Sequence, residues 1–471
     1  MSLKLPSVDE VTTINRDGSR YFLHPADVNG RFTVARRLVA VGLLAIYVLL
    51  PWIPINGFPA VFLDVENRSF HLFGLTFAPQ DLWLGFFVIS GLGFSLFYVT
   101  SLFGRLWCGW TCPYTVFLEH VYRRIERWID GDANARRRLE DAPLDGGKVA
   151  RRLLKHAIFF AVSFLIAHVF LSYFVSLPRL WRMMASRPGD HLLAFGIVMF
   201  LTFVLYGAFS WFREQFCIIM CPYGRIQSAL TDDNTMVIGY DARRGEPRGR
   251  AGTEGAGDCI NCLRCVQVCP TGIDIRNGLQ LECVGCANCV DACDAIMTKL
   301  NRPTGLVRYA SMNALAGKPT RWLRPRLFLY SALLVIGLVV MSFSLTKLRP
   351  FQAGVVRLPG SPYYVDTANG IVRNQFQLRL LNKRMKPQQF RIELEGASAD
   401  TKMIGPGAGF ELGPQEERLV AAVIEIPKAS YRGPQPLSFI ITSEPGGQVV
   451  RKKFEFTGPD PRLLDETFLK P

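Results

Sequence analysis

The chain is 471 residues long, 49% hydrophobic and 12% aromatic, and carries a formal net charge of +15. That length allows two or three domains, and so apolar a composition is unusual for a soluble protein of this size. The charge would suit nucleic acid only if an aromatic-interleaved basic motif accompanied it; none does, so nucleic acid is excluded as a partner.

In chain order, an N-terminal segment (1–37) precedes five apolar runs: Leu38 to Ile55, Leu82 to Phe103, Ala157 to Leu177, Leu192 to Phe212 and Leu327 to Leu345. None contains Asp, Glu, Lys or Arg. Each is long enough to cross a hydrocarbon core about 30 Å thick. The first run starts late, ends in Pro51 and Pro54, and has no small-residue cleavage site behind it, so it reads as a retained helix that also targets the protein. The loop between the second and third runs holds Arg105, Arg123, Arg124, Arg127, Arg136, Arg137, Arg138, Lys148, Arg151, Arg152 and Lys155, whereas the first loop holds only Arg68. This asymmetry predicts that the N-terminus, the second loop and residues 213–326 are cytoplasmic. With five crossings, the tail after Leu345 is expected outside.

The four-helix portion (38–239) carries two thiol pairs, Trp107-Cys108-x-x-x-Cys112-Pro113-Tyr114 and Phe216-Cys217-x-x-x-Cys221-Pro222-Tyr223. Ser101 and Ser210, and Phe103 and Phe212, match in the same register, which points to an internal duplication of a helix pair. Proline after the second cysteine suits the first position of a helix, so Cys112 and Cys221 are expected at helix N-termini, where backbone amides favour thiolate. Residues Pro113 to Ile129 then form an amphipathic helix along the membrane surface. Four soft thiolates, Cys108, Cys112, Cys217 and Cys221, suit Cu(I) better than Cu(II); the plain alternative is that they are small buried hydrophobes. Met220 and His120 are candidate additional ligands. His168, mid-way along the third run, is either functional or a neutral imidazole bonded to a neighbouring helix.

After a Gly/Arg-rich stretch, Tyr240 to Gly257, read as a flexible lead-in, residues 240–310 hold Cys259-x-x-Cys262-x-x-Cys265-x-x-x-Cys269-Pro270 and Cys283-x-x-Cys286-x-x-Cys289-x-x-x-Cys293. This is bacterial-type two-cluster ferredoxin spacing, in which the fourth cysteine of each run serves the other 4Fe-4S cluster. The expected sets are Cys259, Cys262, Cys265 and Cys293, and Cys283, Cys286, Cys289 and Cys269. Zinc is the lesser alternative for paired C-x-x-C. The tail (348–471) has no cysteine and turns to period two, with Val372, Phe376, Leu378 and Leu380 alternating with polar residues, Phe390, Ile392 and Leu394 again, and Leu437, Phe439 and Ile441 again. With Asn369-Gly370 and Gly446-Gly447 as hairpin turns, this predicts about seven antiparallel strands in an immunoglobulin-like sandwich, acting as a docking module or a spacer. The expected architecture is therefore a five-helix transmembrane bundle with a two-cluster ferredoxin domain and a C-terminal all-β sandwich.

Two C-x-x-x-C-P motifs after membrane helices, a double-cubane run, a fifth helix and an exported β domain together resemble, over essentially the whole chain, the cytochrome c oxidase accessory protein family, called CcoG, RdxA or FixG. Aspartate, Asp294, stands where the second run would carry proline, which removes no ligand. The resemblance implies a multi-pass protein of the bacterial inner membrane with clusters cytoplasmic and the sandwich periplasmic. It implies a cupric reductase, a metal-ion oxidoreductase making Cu(I) for assembly of a cbb(3)-type cytochrome c oxidase. The eight cysteines from Cys259 to Cys293 would then bind two 4Fe-4S clusters, and Cys108, Cys112, Cys217 and Cys221 would handle copper. Implied partners are the copper ion, a copper chaperone or transporter, oxidase assembly factors and an unidentified electron donor; a homodimer is an open option. The alternatives are a quinol-linked membrane polyferredoxin, in which copper is irrelevant, and a non-enzymatic assembly scaffold.

Overall fold

A computed structural model describes residue 13 and residues 21–66, 69–77, 81, 83–346, 351–384, 386–405, 409–414, 416–445 and 447–463. Arg68 and Gly446, and most of the N-terminal segment, lie outside the described residues. The chain divides into two compact units, one of residues 1–53, 59–65 and 83–342, the other of residues 54–58, 66–82 and 343–471.

Five helices of the described residues are long and apolar enough to cross a membrane. Their α-helical cores are α1 (Arg31–Leu49), α2 (Trp83–Phe103), α3 (Gly146–Leu171), α4 (Leu192–Gly207) and α5 (Pro325–Thr346). Their outward faces are bare hydrocarbon, such as Leu38, Ile89, Leu193, Phe200 and Ile336, as lipid-facing helices require. Two helices start well before their apolar runs. Helix α3 begins eleven residues ahead of Ala157 because Asp145 caps it, accepting from the Lys148 amide at 2.7 Å, and because Lys155 finds Asp130 at 2.6 Å. Helix α1 begins at Arg31, and its cap comes from a distant residue: the Asp291 carboxylate accepts from the amides of Phe32 (3.2 Å) and Thr33 (2.7 Å) and from the Thr33 hydroxyl (2.7 Å). A carboxylate at a helix N-terminus satisfies orphan amides and the helix dipole together. Asp291 lies between Cys289 and Cys293, so the cysteine-rich segment holds helix α1 directly. Gly30 is required at this contact, since a Cβ there would meet the Asp291 side chain at 2.3 Å.

The cysteine-rich segment is bracketed by an antiparallel pair, β1 (Val237–Tyr240) and β2 (Val307–Ala310), in register Val237 to Ala310 through Tyr240 to Val307. Its core is Ile238, Ile275, Val290, Met297, Leu306 and Val307 with the cysteines themselves. The stretch Tyr240 to Gly257 is not a free lead-in. The Gly257 amide bonds Pro247 (2.8 Å), the Gly249 amide bonds Cys259 (3.2 Å), and Arg244 pairs with Asp258 at 2.5 Å. Its glycines suggested freedom, but these bonds close the stretch on itself and on the residues that follow it, which composition does not reveal.

Among the described residues the second unit contains nine strands of the tail, against the expected seven or so. The five-stranded sheet is formed by β3 (Phe351–Arg357), β4 (Tyr364–Asp366), β5 (Ile371–Asn382), β7 (Lys402–Ile404) and β9 (Glu417–Pro427); the four-stranded sheet by β6 (Gln388–Glu395), β8 (Phe410–Leu412), β10 (Gln435–Glu444) and β11 (Gln448–Phe456). The orders are β7-β9-β5-β3, with β4 also on β5, and β8-β6-β10-β11. The extra strands are three-residue edges, too short for an alternation to register. The two predicted turns join antiparallel neighbours, β4 to β5 and β10 to β11. Val372, Leu378, Leu380, Phe390, Phe439 and Ile441 are fully buried in the sandwich core, as period-two patterning demands. A hairpin that no alternation announced, Ser69–Leu72 with Leu75–Phe77, also belongs to this unit, its His71 ring stacked on Phe58 at 3.9 Å.

Candidate functional site

The two thiol motifs fold alike down to their hydrogen bonds. The Cys112 amide reaches back to Trp107 (2.9 Å) and the Cys221 amide to Phe216 (2.8 Å), closing the same five-residue loop around each pair. Both second cysteines stand immediately before a proline that opens a helix, Pro113–Phe117 and Pro222–Leu230. The first of these runs on through a wide π turn, Leu118–Tyr122, into Arg123–Asp130. A π turn, Phe216–Met220, also spans the second pair; such turns reposition side chains at functional sites.

The tyrosine after each motif then grips the other repeat. Tyr114 donates to the Arg213 carbonyl (2.6 Å), just past α4, and stacks on Phe216 at 4.4 Å. Tyr223 bonds the Thr100 hydroxyl and the Leu96 carbonyl (3.4 Å), near the end of α2. This exchange draws the four thiols together: Cys217 is in electrostatic range of Cys112, Cys108 and Cys221, and Cys108 of Cys112 and Cys221. Burial pushes the Cys108 thiol up to about 11 despite a stabilising bond from Gln227, whose Nε2 donates to Sγ at 3.3 Å, and burial drives Cys217 higher still. These two thiols are protonated at neutral pH, so a metal must displace their protons to bind. Among the described residues no three His, Cys, Asp or Glu side chains meet as a finished single-ion site; the thiols are gathered but not closed on an ion.

The remaining cysteines form two groups. Cys293 is in range of Cys262 and Cys259, and Cys265 of Cys293 and Cys262. Cys289 is in range of Cys286, Cys283 and Cys269, then of Cys265 from the first group, and Cys286 of Cys269. The backbone repeats as well: Asn261 and Leu263 flank Cys262 with positive φ, and Gly285 and Ala287 flank Cys286 the same way. Such left-handed residues curl the amides around a concavity that suits an anionic cluster. Arginines supply compensating charge, Arg276 beside Cys265, Arg105 beside Cys283 and Arg36 beside Cys286. Burial raises Cys265, Cys283 and Cys293 to about 12 and Cys286 to about 11. Two foursomes of soft donors with nearby cations fit two 4Fe-4S clusters.

The thiol tetrad abuts the second foursome. A Cβ on Gly109, within the first thiol loop, would meet the Val284 carbonyl at 2.6 Å and the Cys286 backbone at 2.9 Å; one on Gly285 would meet the Arg105 carbonyl at 2.9 Å. Arg36 fastens the junction, donating Nε to the Gly109 carbonyl (2.9 Å) and Nη1 to Asn288 (2.7 Å). Trp110 donates to the Tyr309 hydroxyl (3.2 Å), which donates to the Gly285 carbonyl (2.6 Å). Gly109→Ala is therefore expected to cost about 1–3 kcal/mol by forcing the two loops apart, measured as a lower unfolding midpoint with iron content unchanged. No spacing announced Gly109, Arg36 or Gln227, and although Tyr114 and Tyr223 stand in the repeated motif, nothing in it gave their roles, which like the others depend on partners more than 70 residues away.

The other candidates go elsewhere. His120 faces Arg36, Arg37, Arg124 and Glu119, and burial with Arg36 holds it at about 4, neutral. Met220 is 64% exposed. His168 bonds its own helix, Nδ1 to the Phe164 carbonyl at 2.9 Å, rather than a neighbour.

Residues 84–131 match a 4Fe-4S binding domain, residues 212–312 a 4Fe-4S dicluster domain, and residues 341–459 the Ig-like fold at the C-terminus of FixG. Protein RdxA of Cereibacter sphaeroides is 36% identical over 406 residues, covering 83% of this chain and 86% of that one. Nitrogen fixation protein FixG of Rhizobium meliloti is 33% identical over 479 residues, covering 90% of each. Protein RdxB of Cereibacter sphaeroides is 34% identical over 392 residues, covering 79% of this chain and 81% of that one. The chain thus belongs to the CcoG/RdxA/FixG family of membrane iron-sulfur proteins.

Proposed function

We propose that this protein is a cupric reductase, taking Cu(II) as substrate at the Cys108, Cys112, Cys217 and Cys221 thiols and releasing Cu(I) for assembly of a cbb(3)-type oxidase. The observation that carries this reading is the gathering of four thiols from two repeated motifs, directly against a cluster-binding loop. Thiolates hold Cu(I) far better than Cu(II), so the site lowers the free energy of the product ion and favours the one-electron reduction. Two 4Fe-4S clusters, held by the eight cysteines from Cys259 to Cys293, supply one-electron relay to this site. Cys108 and Cys217 give up protons on binding copper, Gln227 fixes the Cys108 sulfur, and the Gly109–Gly285 contact keeps the distance short.

The site and the clusters face the cytoplasm in this reading, and the sandwich the periplasm. The basic residues of the second loop support that orientation, as does the grouping of residues 66–82 from the first loop with the tail in one compact unit. The electron donor is cytoplasmic or a membrane quinol, and the recipient a copper chaperone, transporter or assembly factor. Replacing Cys108 and Cys112 together with serine should abolish copper reduction while iron content, measured by metal analysis, stays at the wild-type level. Normal reduction by that double variant would remove the thiols from the mechanism.

A further inference from the structure

A second site is lined in part by the helix that follows Cys112. A cavity of about 80 Å³ opens between residues 25–28, the start of α1, the segment Glu119–Arg127 and Asn288. One water needs about 10–15 Å³ of such space, so the cavity takes a larger guest. Six arginines line it, Arg36, Arg37, Arg123, Arg124, Arg127 and Arg136, against two lining carboxylates, Asp27 and Glu119. Arg127 pairs with Asp27, Arg123 with Glu119 and Glu214, and Arg136 with Glu126 at 3.6 Å. Among the described residues Arg36, Arg37 and Arg124 pair with no carboxylate.

Several of these arginines are buried rather than solvated. Arg36 is only 3% exposed, Arg136 5% and Arg123 7%. Buried N–H groups remain without a partner on each: Nη2 of Arg36, Nε of Arg123 and Nε of Arg136, with Nε of Arg37 besides. A buried donor left unmade costs more than a made bond gains. Guanidinium forks converging from several directions match the oxygens of a tetrahedral oxyanion. The neutral His120 in the same wall can donate one further bond.

We propose that this cavity binds a phosphate group, either free phosphate or the headgroup of an anionic lipid. The cavity holds none of the four thiols, although it shares Arg36 and Asn288 with their junction, and its test is independent of the copper reading. It joins the helix after the first thiol pair to Asn288, which opens the cluster-bearing helix Asn288–Lys299. Its occupant therefore ties those two elements together.

The test uses the full chain in an uncharged detergent. Inorganic phosphate is titrated against chloride at equal ionic strength while thermal unfolding is followed, and in a second arm the protein is placed in phosphatidylcholine nanodiscs with and without phosphatidylglycerol. Saturable stabilisation by phosphate identifies the free anion, and stabilisation by phosphatidylglycerol alone identifies the lipid headgroup. Arg37→Gln and Arg124→Gln should each weaken the effect about tenfold, as expected for losing one charge-assisted bond, with iron content unchanged; Arg451→Gln, in the sandwich, should not. If wild-type protein responds to neither phosphate nor phosphatidylglycerol beyond the chloride and phosphatidylcholine controls, the proposal is overturned.

Discussion

Glu126→Gln is expected to destabilise the membrane unit by about 3–5 kcal/mol, the usual cost of removing one partner from a buried ionic network. Glu126 is 2% exposed and serves three cations: Arg213 at 2.9 Å, Lys155 at 3.5 Å and Arg136 at 3.6 Å. Burial alone would raise its carboxyl, but Arg213 first, then Lys155 and Arg136, hold it well below the ordinary carboxylate range. The sign follows from that lowering. Stability from this group is fully present above the unfolded-state value near pH 4.3 and is lost as pH falls below it. Denaturation curves between pH 7 and pH 3 should show the wild type losing stability on acidification more steeply than the variant. A variant as stable as wild type at pH 7 would show that the three cations find other partners.

Cys289→Ser should remove about half of the bound iron and unfold the segment between β1 and β2. Cys289 is buried, belongs to the core that also holds Val290 and Met297, and is in range of the three other members of its foursome. Because such a site does not exist in the unfolded chain, cluster binding energy is folding energy. Asp291 lies two residues on and caps α1, so loss of this segment should also loosen the first membrane helix, visible as faster amide exchange at Phe32 and Thr33. Metal analysis and the cluster absorption band measure the first effect. Iron content equal to wild type would exclude Cys289 as a ligand.

The hydrophobic runs and the period-two tail were legible because each is a local pattern with a strong physical cause, exclusion of charge from lipid in one case and strand pleating in the other. The ends of the elements were not. Charge-free runs started α1 and α3 too late, since Arg36 and Lys155 continue the helices by finding buried partners. The supposedly flexible Tyr240–Gly257 stretch and the His71 hairpin misled or escaped because their contacts, such as Asp241 to Leu306 and His71 on Phe58, leave no periodic pattern. Cysteine spacing pointed to which thiols could work together. It could not show that two motifs separated by a hundred residues face one another, because that depends on Tyr114 and Tyr223 each holding the other repeat. Nor could it show the glycine contact that seats the thiol loop on Cys286, since a glycine in a loop carries no mark of what approaches it.

The most direct test of the account is an anaerobic titration of the detergent-purified, dithionite-reduced protein with Cu(II) in the presence of a Cu(I)-specific chelator. Reoxidation of the cluster absorption in step with Cu(I) formation, one copper per electron, is the predicted result. Clusters that stay reduced while Cu(II) accumulates would contradict cupric reduction and favour quinol-linked electron transfer.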